Sequence, residues 1–251
     1  MLTAERRRYI LDAVQRDGKV LASEIGAVLG VSEDTIRRDL RELADAGMVV
    51  RVHGGALPVA PVNLPFRVRQ DTDIQAKDAI ARAAAAMIQH GQVAILDGGT
   101  TNLRVARNLS PDLAATVVTN CPHIAVALAD HPHVTVVLVG GRLLKGSQTA
   151  VGPEAVDAFR TIRADISMLA VCGIHPDAGM TSEQMEEVPV KRAMISGARQ
   201  VVALATSGKL GVAYPFAVGP LSQVTHLITG RDVAPGDLEP YRSQGLTVLQ
   251  A

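Results

Sequence analysis

The sequence predicts an α/β protein in two parts: a helical N-terminal module ending in a small hairpin, then a larger, mostly parallel α/β domain. Two features point there. Up to Ala56 short amphipathic helical patterns follow closely on one another, and beyond about Gln75 helical patterns alternate with apolar runs of strand length. Several of those runs lack any polar alternation, as strands covered on both faces do. Residues 1–57 are read as the first module, 58–74 as a connector punctuated by Pro58, Pro61 and Pro65, and 75–251 as the second domain.

Composition narrows the function classes. With 251 residues, 47% of them hydrophobic and 20% charged, the chain can bury a sizeable core. No apolar stretch has the roughly 20 residues a bilayer span needs, and the N-terminus carries Glu5, Arg6, Arg7 and Arg8 instead of a signal peptide. Cys121 and Cys172 are too few for a disulfide framework and suit a reducing compartment, so a cytoplasmic location is expected. Net charge is zero, and acids match bases within the N-terminal module as well. Any affinity for nucleic acid must therefore come from charge placement. Aromatics make up only 2% with no Trp, which disfavours single-strand or RNA binding by stacking, and equally the stacking capture of unmodified sugars.

Three helices are expected first. One covers residues 4–16 with Thr3 as cap and Ile10, Leu11 and Val14 on one face. A second covers 22–29 and buries Ile25, Val28 and Leu29. A third covers 33–46, with Ser32 as N-cap and Gly47 as its stop. Gly30 makes the turn between the second and third. In the third helix Ile36, Leu40 and Leu43 recur at i, i+4 and i+7 and form the buried stripe. At 3.6 residues per turn Arg38 points away from that stripe, with Asp34, Arg41 and Asp45 beside it, Arg37 on one flank, and Asp39 and Glu42 toward the other. Arginines near the start of an outward helix face suit bidentate contact to guanine in the major groove, and Ser32 and Thr35 suit phosphates or base edges. A strand at 48–52, a turn at His53, Gly54 and Gly55 and a return strand at 56–57 complete a small wing, with Arg51 and His53 placed to touch the DNA backbone. The competing reading is a helical hairpin whose arginines form an ordinary solvated face or mediate protein contacts.

The run Val31-Ser32-Glu33-Asp34-Thr35-Ile36-Arg37-Arg38-Asp39-Leu40, then Gly47, then Arg51-Val52-His53-Gly54-Gly55-Ala56, resembles the signature of DeoR-family bacterial transcription regulators. The resemblance implies a winged helix-turn-helix repressor of sugar or polyol catabolic genes, whose C-terminal domain senses a phosphorylated intermediate and lets go of operator DNA when it is bound.

In the second domain, strands are expected at 93–96, 116–119, 134–139, 166–171, 201–205, 227–229 and 247–249. Strand–helix alternation of this length argues for a parallel sheet with helices on both sides. Directly after the first of these strands comes Asp97-Gly98-Gly99-Thr100-Thr101, ahead of a helix. Glycines at a strand-to-helix turn let backbone amides approach an anion, the helix N-terminus favours negative charge, and Thr100 and Thr101 add hydroxyls. Phosphate is the natural guest, with Asp97 accepting from sugar hydroxyls; the bland alternative is merely a capped helix start. Thr119 and Asn120, Gly140 and Gly141, and Cys172 and Gly173 end further strands, where ligands bind in open parallel sheets. Arg142, Lys145 and Lys209 are candidate phosphate partners, each of which could as well be a solvated cation.

The same landmarks, with Gly173-Ile174, Gly179-Met180-Thr181 and Lys191-Arg192-Ala193-Met194, are similar to the DeoR-family sensor domain, which implies a fold like ribose-5-phosphate isomerase. One departure stands out. Where the family carries an aspartate, a small residue and a serine before the late lysine, this chain has Thr206-Ser207-Gly208-Lys209, without an acidic contact at that corner. Pro189 is expected to start a helix. Cys121 with His123, and His131 with His133, are close pairs without a further cluster at zinc spacing, so no metal and no cofactor are expected. Expected partners are double-stranded operator DNA, a phosphorylated sugar or polyol, and a second copy of the chain, since repeated half-sites need more than one recognition helix. The rival reading is a sugar-phosphate isomerase with an appended DNA-binding segment and Asp97 as its base; an architectural DNA binder without a ligand is the third.

Overall fold

A computed structural model describes residues 2–17, 19–59 and 64–251. Pro61, one of the three prolines of the connector, lies outside these residues. The N-terminal module consists of α1 (Thr3–Asp17), β1 (Val20–Leu21), α2 (Ala22–Leu29), α3 (Glu33–Asp45), β2 (Val49–Val52) and β3 (Gly55–Pro58). Ile10, Val14, Ile25, Ile36, Leu40 and Leu43 meet in one core, as the helical periodicities predict. Three details differ. Thr3 lies inside α1 and does not cap it. Val28 is 65% exposed, because α2 is short and turns only the face bearing Ala22, Ile25 and Gly26 inward. The wing is three-stranded in the order β1-β3-β2, since residues 20–21 pair antiparallel with Gly55 and Ala56. Gly55 allows that pairing: a Cβ there would lie 1.9 Å from the Val20 carbonyl oxygen.

The larger domain runs α4 (Phe66–Gln70), α5 (Ile74–Ala85), β4 (Val93–Leu96), α6 (Thr100–Arg107), β5 (Ala115–Thr119), α7 (Pro122–Ala127), β6 (Val134–Leu138), β7 (Arg142–Leu144), β8 (Thr149–Val151), α8 (Pro153–Arg160), β9 (Ala164–Ala170), β10 (Gly173–His175), β11 (Gly179–Ser182), α9 (Glu187–Ser196), β12 (Ala198–Leu204), β13 (Phe216–Gly219), β14 (His226–Thr229), α10 (Pro235–Arg242) and β15 (Thr247–Gln250). All of the strands expected from apolar runs join one seven-stranded sheet in the order β15-β14-β12-β9-β4-β5-β6. Every pairing in it is parallel. Alternate residues feed cores on opposite faces: Ile95, Leu169 and Ala203 on one side, Ala94, Met168 and Val202 on the other. That two-sided burial is why these strands read as unbroken apolar runs. The helix expected at Pro189 starts at Glu187, which puts the proline in the first turn, where its missing N–H costs nothing.

Strand order reverses beside β4. From β4 the chain proceeds outward through β5 and β6, then returns to the other side of β4 with β9 and continues outward. The carboxyl ends of β4 and β9 therefore flank the switch point, where crossover loops diverge and leave a crevice. Two additions ornament that end, a β7–β8 hairpin and an antiparallel sheet of β10, β11 and β13. The latter also meets the wing: Val50 and Leu57 share a small apolar cluster with Ala213, Ala178 packs against it, and Lys19 pairs with Asp177.

Candidate functional site

The first candidate surface is the outward face of α3. Ser32 caps the helix, its Oγ accepting from the Thr35 N–H at 3.3 Å and lying 2.8 Å from Thr35 Oγ1. Gly30, with φ of +64°, turns the chain tightly between α2 and α3. Ile36, Leu40 and Leu43 are buried, and Arg37, Arg38 and Arg41 are exposed. Asp39 departs from the sequence reading: it is 1% exposed instead of solvated on a flank. Arg6 and Arg7 of α1 reach across to it, and Arg7 also pairs with Glu42. Beside the Asp39 carboxylate the Arg7 guanidinium is held above its ordinary pKa. Arg37 is partly occupied too, donating to Glu33 at 2.7 Å.

This pairing decides the electrostatics that composition left even. The buried Asp39 and the exposed Glu42 are paired by arginines of α1, whereas Arg38 and Arg41, beside the exposed Asp34 and Asp45, have no ion-pair partner among the described residues. They stand on the face opposite the buried stripe, where a helix enters the major groove. Arg51 and His53 are exposed on the wing, on β2 and in the turn that Gly54 makes at φ of +78°.

The second candidate is a cavity of about 210 Å³ at the switch point. Its lining includes Gly98, Gly99, Thr100 and Thr101 after β4, and Ala170, Val171 and Cys172 at the end of β9 and just beyond it. Glu183, Gln184, Glu187 and Lys191 line it around the start of α9; Lys209 and Arg69 complete it. The loop after β4 is fastened from below. Asn102 Nδ2 donates to the carbonyls of Asp97 and Met168, both at 2.8 Å. Gly99, at φ of +146°, has no room for a Cβ, which would lie 2.6 Å from that of Ala170. Gly98, Gly99 and the first residues of α6 thus line the cavity together, and the start of a helix after a glycine turn is a place that favours an anion.

Several residues singled out from sequence stand elsewhere. Asp97 is 2% exposed beneath the loop and does not line the cavity; it accepts from Lys191 Nζ at 2.5 Å and from the Ala170 N–H at 3.1 Å. Burial pushes the Asp97 carboxyl up, and the Lys191 ammonium pulls it back. Burial alone would lower Lys191, but Asp97 and Glu187 overcome it and keep that amine charged. Asp97 Oδ2 is thus held twice, by the Lys191 ammonium and the Ala170 N–H, and the residue anchors the loop from outside the cavity lining. Thr119, the last residue of β5, and Asn120 just after it are buried; Thr119 Oγ1 accepts from the Cys121 N–H and Asn120 Nδ2 donates to the Ala150 carbonyl. Gly140 and Gly141 lead into the β7–β8 hairpin, which carries Arg142 and Lys145 away to the exposed surface. Arg142 pairs there with Glu186 at 3.0 Å, and only the hairpin tip, Gly146 and Ser147, reaches the cavity. Gly173 sits in β10, where a Cβ would strike the Val212 carbonyl oxygen at 2.4 Å, so its role is close packing.

Lys209 does line the cavity, at the end of the turn 206–209 that departs from the family pattern. That corner supplies a cation, and the acids Glu183 and Glu187 come from another segment. Sequence reasoning passed over them and Arg69, and gave Lys191 only as a landmark of the resemblance, because nothing local marks residues so far apart in the chain as neighbours. The histidine pairs are otherwise engaged. His131 Nδ1 accepts from the N–H groups of His133 and Val134, His123 bonds Gln148, and burial pushes the Cys121 thiol up.

Burial lowers the Lys209 amine to about 8, with Cys172 opposing and Arg69 reinforcing the shift. Below that pH it is an ammonium ready for a dianion; above it the charge is lost. Affinity for a phosphate monoester is therefore expected to be highest between about pH 6, where the phosphate gains its second charge, and about pH 8. Above that it should fall by up to about tenfold per unit as Lys209 deprotonates. Titration calorimetry across this range checks it; a flat profile up to pH 10 would remove Lys209 from the site.

A winged helix-turn-helix joined to a parallel α/β domain with a crevice at its switch point defines a DNA-binding regulator with a sensor domain. Two families match the chain: the DeoR-like helix-turn-helix domain over residues 6–61 and the DeoR C terminal sensor domain over residues 72–231. The chain belongs to the DeoR family of transcriptional regulators. It is 34% identical to the HTH-type transcriptional regulator GlpR of Haloferax volcanii, over 99% of this chain and 98% of that one. It is 33% identical to the glycerol-3-phosphate regulon repressor of Escherichia coli, over 91% of each. Ribose 5-phosphate isomerase A from Methanocaldococcus jannaschii aligns in structure with 55% of each chain, with a TM-score of 0.41 at 13% identity. The protein is a transcriptional regulator of this family, and among the described residues no helix is long and apolar enough to cross a membrane.

Proposed function

We propose that this protein is a cytoplasmic repressor of a carbohydrate or polyol catabolic operon. It binds operator DNA as a homo-oligomer, and a small phosphorylated sugar or polyol releases it. The observation that carries the ligand class is the meeting of the glycine–threonine loop 98–101 with the cations Lys209 and Arg69 in the lining of one crevice. A cavity of about 210 Å³ is smaller than the roughly 300–1,000 Å³ of drug-sized pockets, which suits a compact metabolite. The relative named for glycerol 3-phosphate supports the same chemistry.

The contacts to DNA are assigned to Ser32, Thr35, Arg37, Arg38 and Arg41 on the recognition helix and to Arg51 and His53 on the wing. The test is release of the protein from the DNA upstream of its own operon, followed by fluorescence anisotropy against triose, pentose and hexose phosphates and their unphosphorylated counterparts. Release by one phosphate ester, and not by its parent alcohol, is the expected result; no release by any of them would end this reading. Thr100→Val with Thr101→Val should abolish that response and leave operator affinity unchanged, because the swap keeps volume and deletes only hydroxyls. Loss of operator binding in this variant would mean that the loop is structural.

A further inference from the structure

The wing carries two apolar faces. Val49 and Ala56 feed the core of the N-terminal module, whereas Val50 and Leu57, with Val52 and Val59 packed beside them, belong to a separate cluster. Strand alternation explains the division, since neighbours along β2 and β3 point to opposite faces. Ala213 and Ala178 of the sensor cover the second face, and Lys19 pairs with Asp177, next to Ala178. Arg51, between Val50 and Val52, stays exposed. One short sheet is thus gripped by the sensor on one face and left open on the other.

Both sensor contacts lie at the ends of segments that start at the crevice. Val171 and Cys172 line the crevice; β10 follows them and ends at the turn 176–178, which bears Asp177 and Ala178. Lys209 lines it too, and residues 210–213 lead from there to the wing. At about 3.3 Å per extended residue the second segment spans only about 13 Å. The two are stitched together. Leu210 bridges Ile174 in parallel, and the Gly211 N–H donates to the Ile174 carbonyl at 3.0 Å and to the Tyr241 hydroxyl at 2.8 Å. That hydroxyl donates in turn to the Ile174 carbonyl at 2.8 Å. The turn is fixed as well: His175 Nδ1 accepts from the N–H groups of Asp177 and Ala178, and Gln244 Nε2 donates to the Pro176 carbonyl. Packed segments bonded in this way shift as a unit instead of deforming continuously.

We propose that β10, its turn and residues 210–213 form a docking platform for the wing and the relay between crevice and DNA. A ligand that shifts the crevice end of the platform displaces the wing seated on Ala178 and Ala213, and with it the recognition helix that shares the wing's other core. The relay rests on the functional reading above; the docking stands on the contacts alone.

The experiment uses the full-length protein. A carbodiimide, which condenses an amine with a carboxylate in direct contact, is applied to the dilute free protein, and the product that runs as a single chain is mapped by peptide mass spectrometry. An amide between Lys19 and Asp177 is expected; its absence would overturn the docking. Operator affinity is then measured by anisotropy with and without the triose, pentose and hexose phosphates of the release test, in the unmodified protein, Ala178→Arg and Asp177→Lys. Each variant sets a cation against Lys19 and changes no residue that lines the crevice. Coupling between two sites commonly amounts to about 5- to 150-fold, and in both variants it should shrink to about twofold or less while calorimetric affinity for the phosphate ester is kept. Full coupling in both would overturn the relay and leave the functional reading standing. If no ester alters operator affinity in the unmodified protein, that reading and the relay fall together, and the amide still decides the docking. Asp177 is exposed, so Asp177→Lys decides alone should Ala178→Arg fail to fold.

Discussion

Lys191→Met is expected to destabilise the protein by about 3–5 kcal/mol, the usual cost of removing one partner of a buried ion pair. For a chain of this size that is a fall in Tm of roughly 6–20 °C. Both side chains are almost wholly shielded, at 8% and 3% exposure, so solvent cannot rescue the charge left behind. The bereaved group is Asp97, which also accepts the Ala170 N–H and lies under the ligand loop. Without Lys191 it must ionise against burial or take up a proton, and burial already pushes its pKa up. A folded-state pKa above the unfolded value favours the fold at low pH and loses that benefit as pH rises through it. The deficit should therefore be smaller at pH 5 than at pH 8. Adding Asp97→Asn should recover part of the loss by removing the charge. Urea melts of the single and double variants at both pH values test this; a single variant as stable as the parent would mean that the pair is not the keystone of the crevice.

The second large effect is on DNA. Arg38→Ala should weaken specific operator binding by about 1–3 kcal/mol, roughly 5- to 150-fold, and leave Tm unchanged because the side chain is exposed. Arg41→Ala on the same face should add to it. Arg37→Ala should cost no more than Arg38→Ala: its pair with Glu33 is an exposed i,i+4 contact worth only about 0.3–0.5 kcal/mol, so it is easily surrendered to a phosphate. Anisotropy with operator and with scrambled duplex at matched salt separates the cases. Equal loss on both duplexes would make Arg38 a phosphate contact, and no loss would move the recognition face elsewhere.

The fold was largely legible in the chain. The stripe of Ile36, Leu40 and Leu43, the Ser32 cap and the glycine stops are local signals whose meaning depends on helix period and backbone freedom alone. The same holds for the seven sheet strands, since burial on both faces leaves an apolar run that no distant partner can disguise. The loop 98–101 was legible for a related reason: its chemistry is carried by the backbone and by adjacent residues.

Tertiary structure alone decided which charges remain available. Asp39 and Glu42 count as acids in any tally, but α1 crosses α3 and pairs them with Arg6 and Arg7, while Arg38 and Arg41 stay without an ion-pair partner among the described residues. Asp97 looks like a ligand contact until Lys191, distant in sequence, reaches it through the switch point. Arg142 and Lys145 follow a strand end, but a hairpin bends them outward, and the cations that do enter the crevice, Arg69 and Lys209, come from the connector and a late turn. Periodicity and capping act over a few residues, so sequence determined the elements and their faces. Pairing of charges acts through space, so only the packed chain could assign the partners.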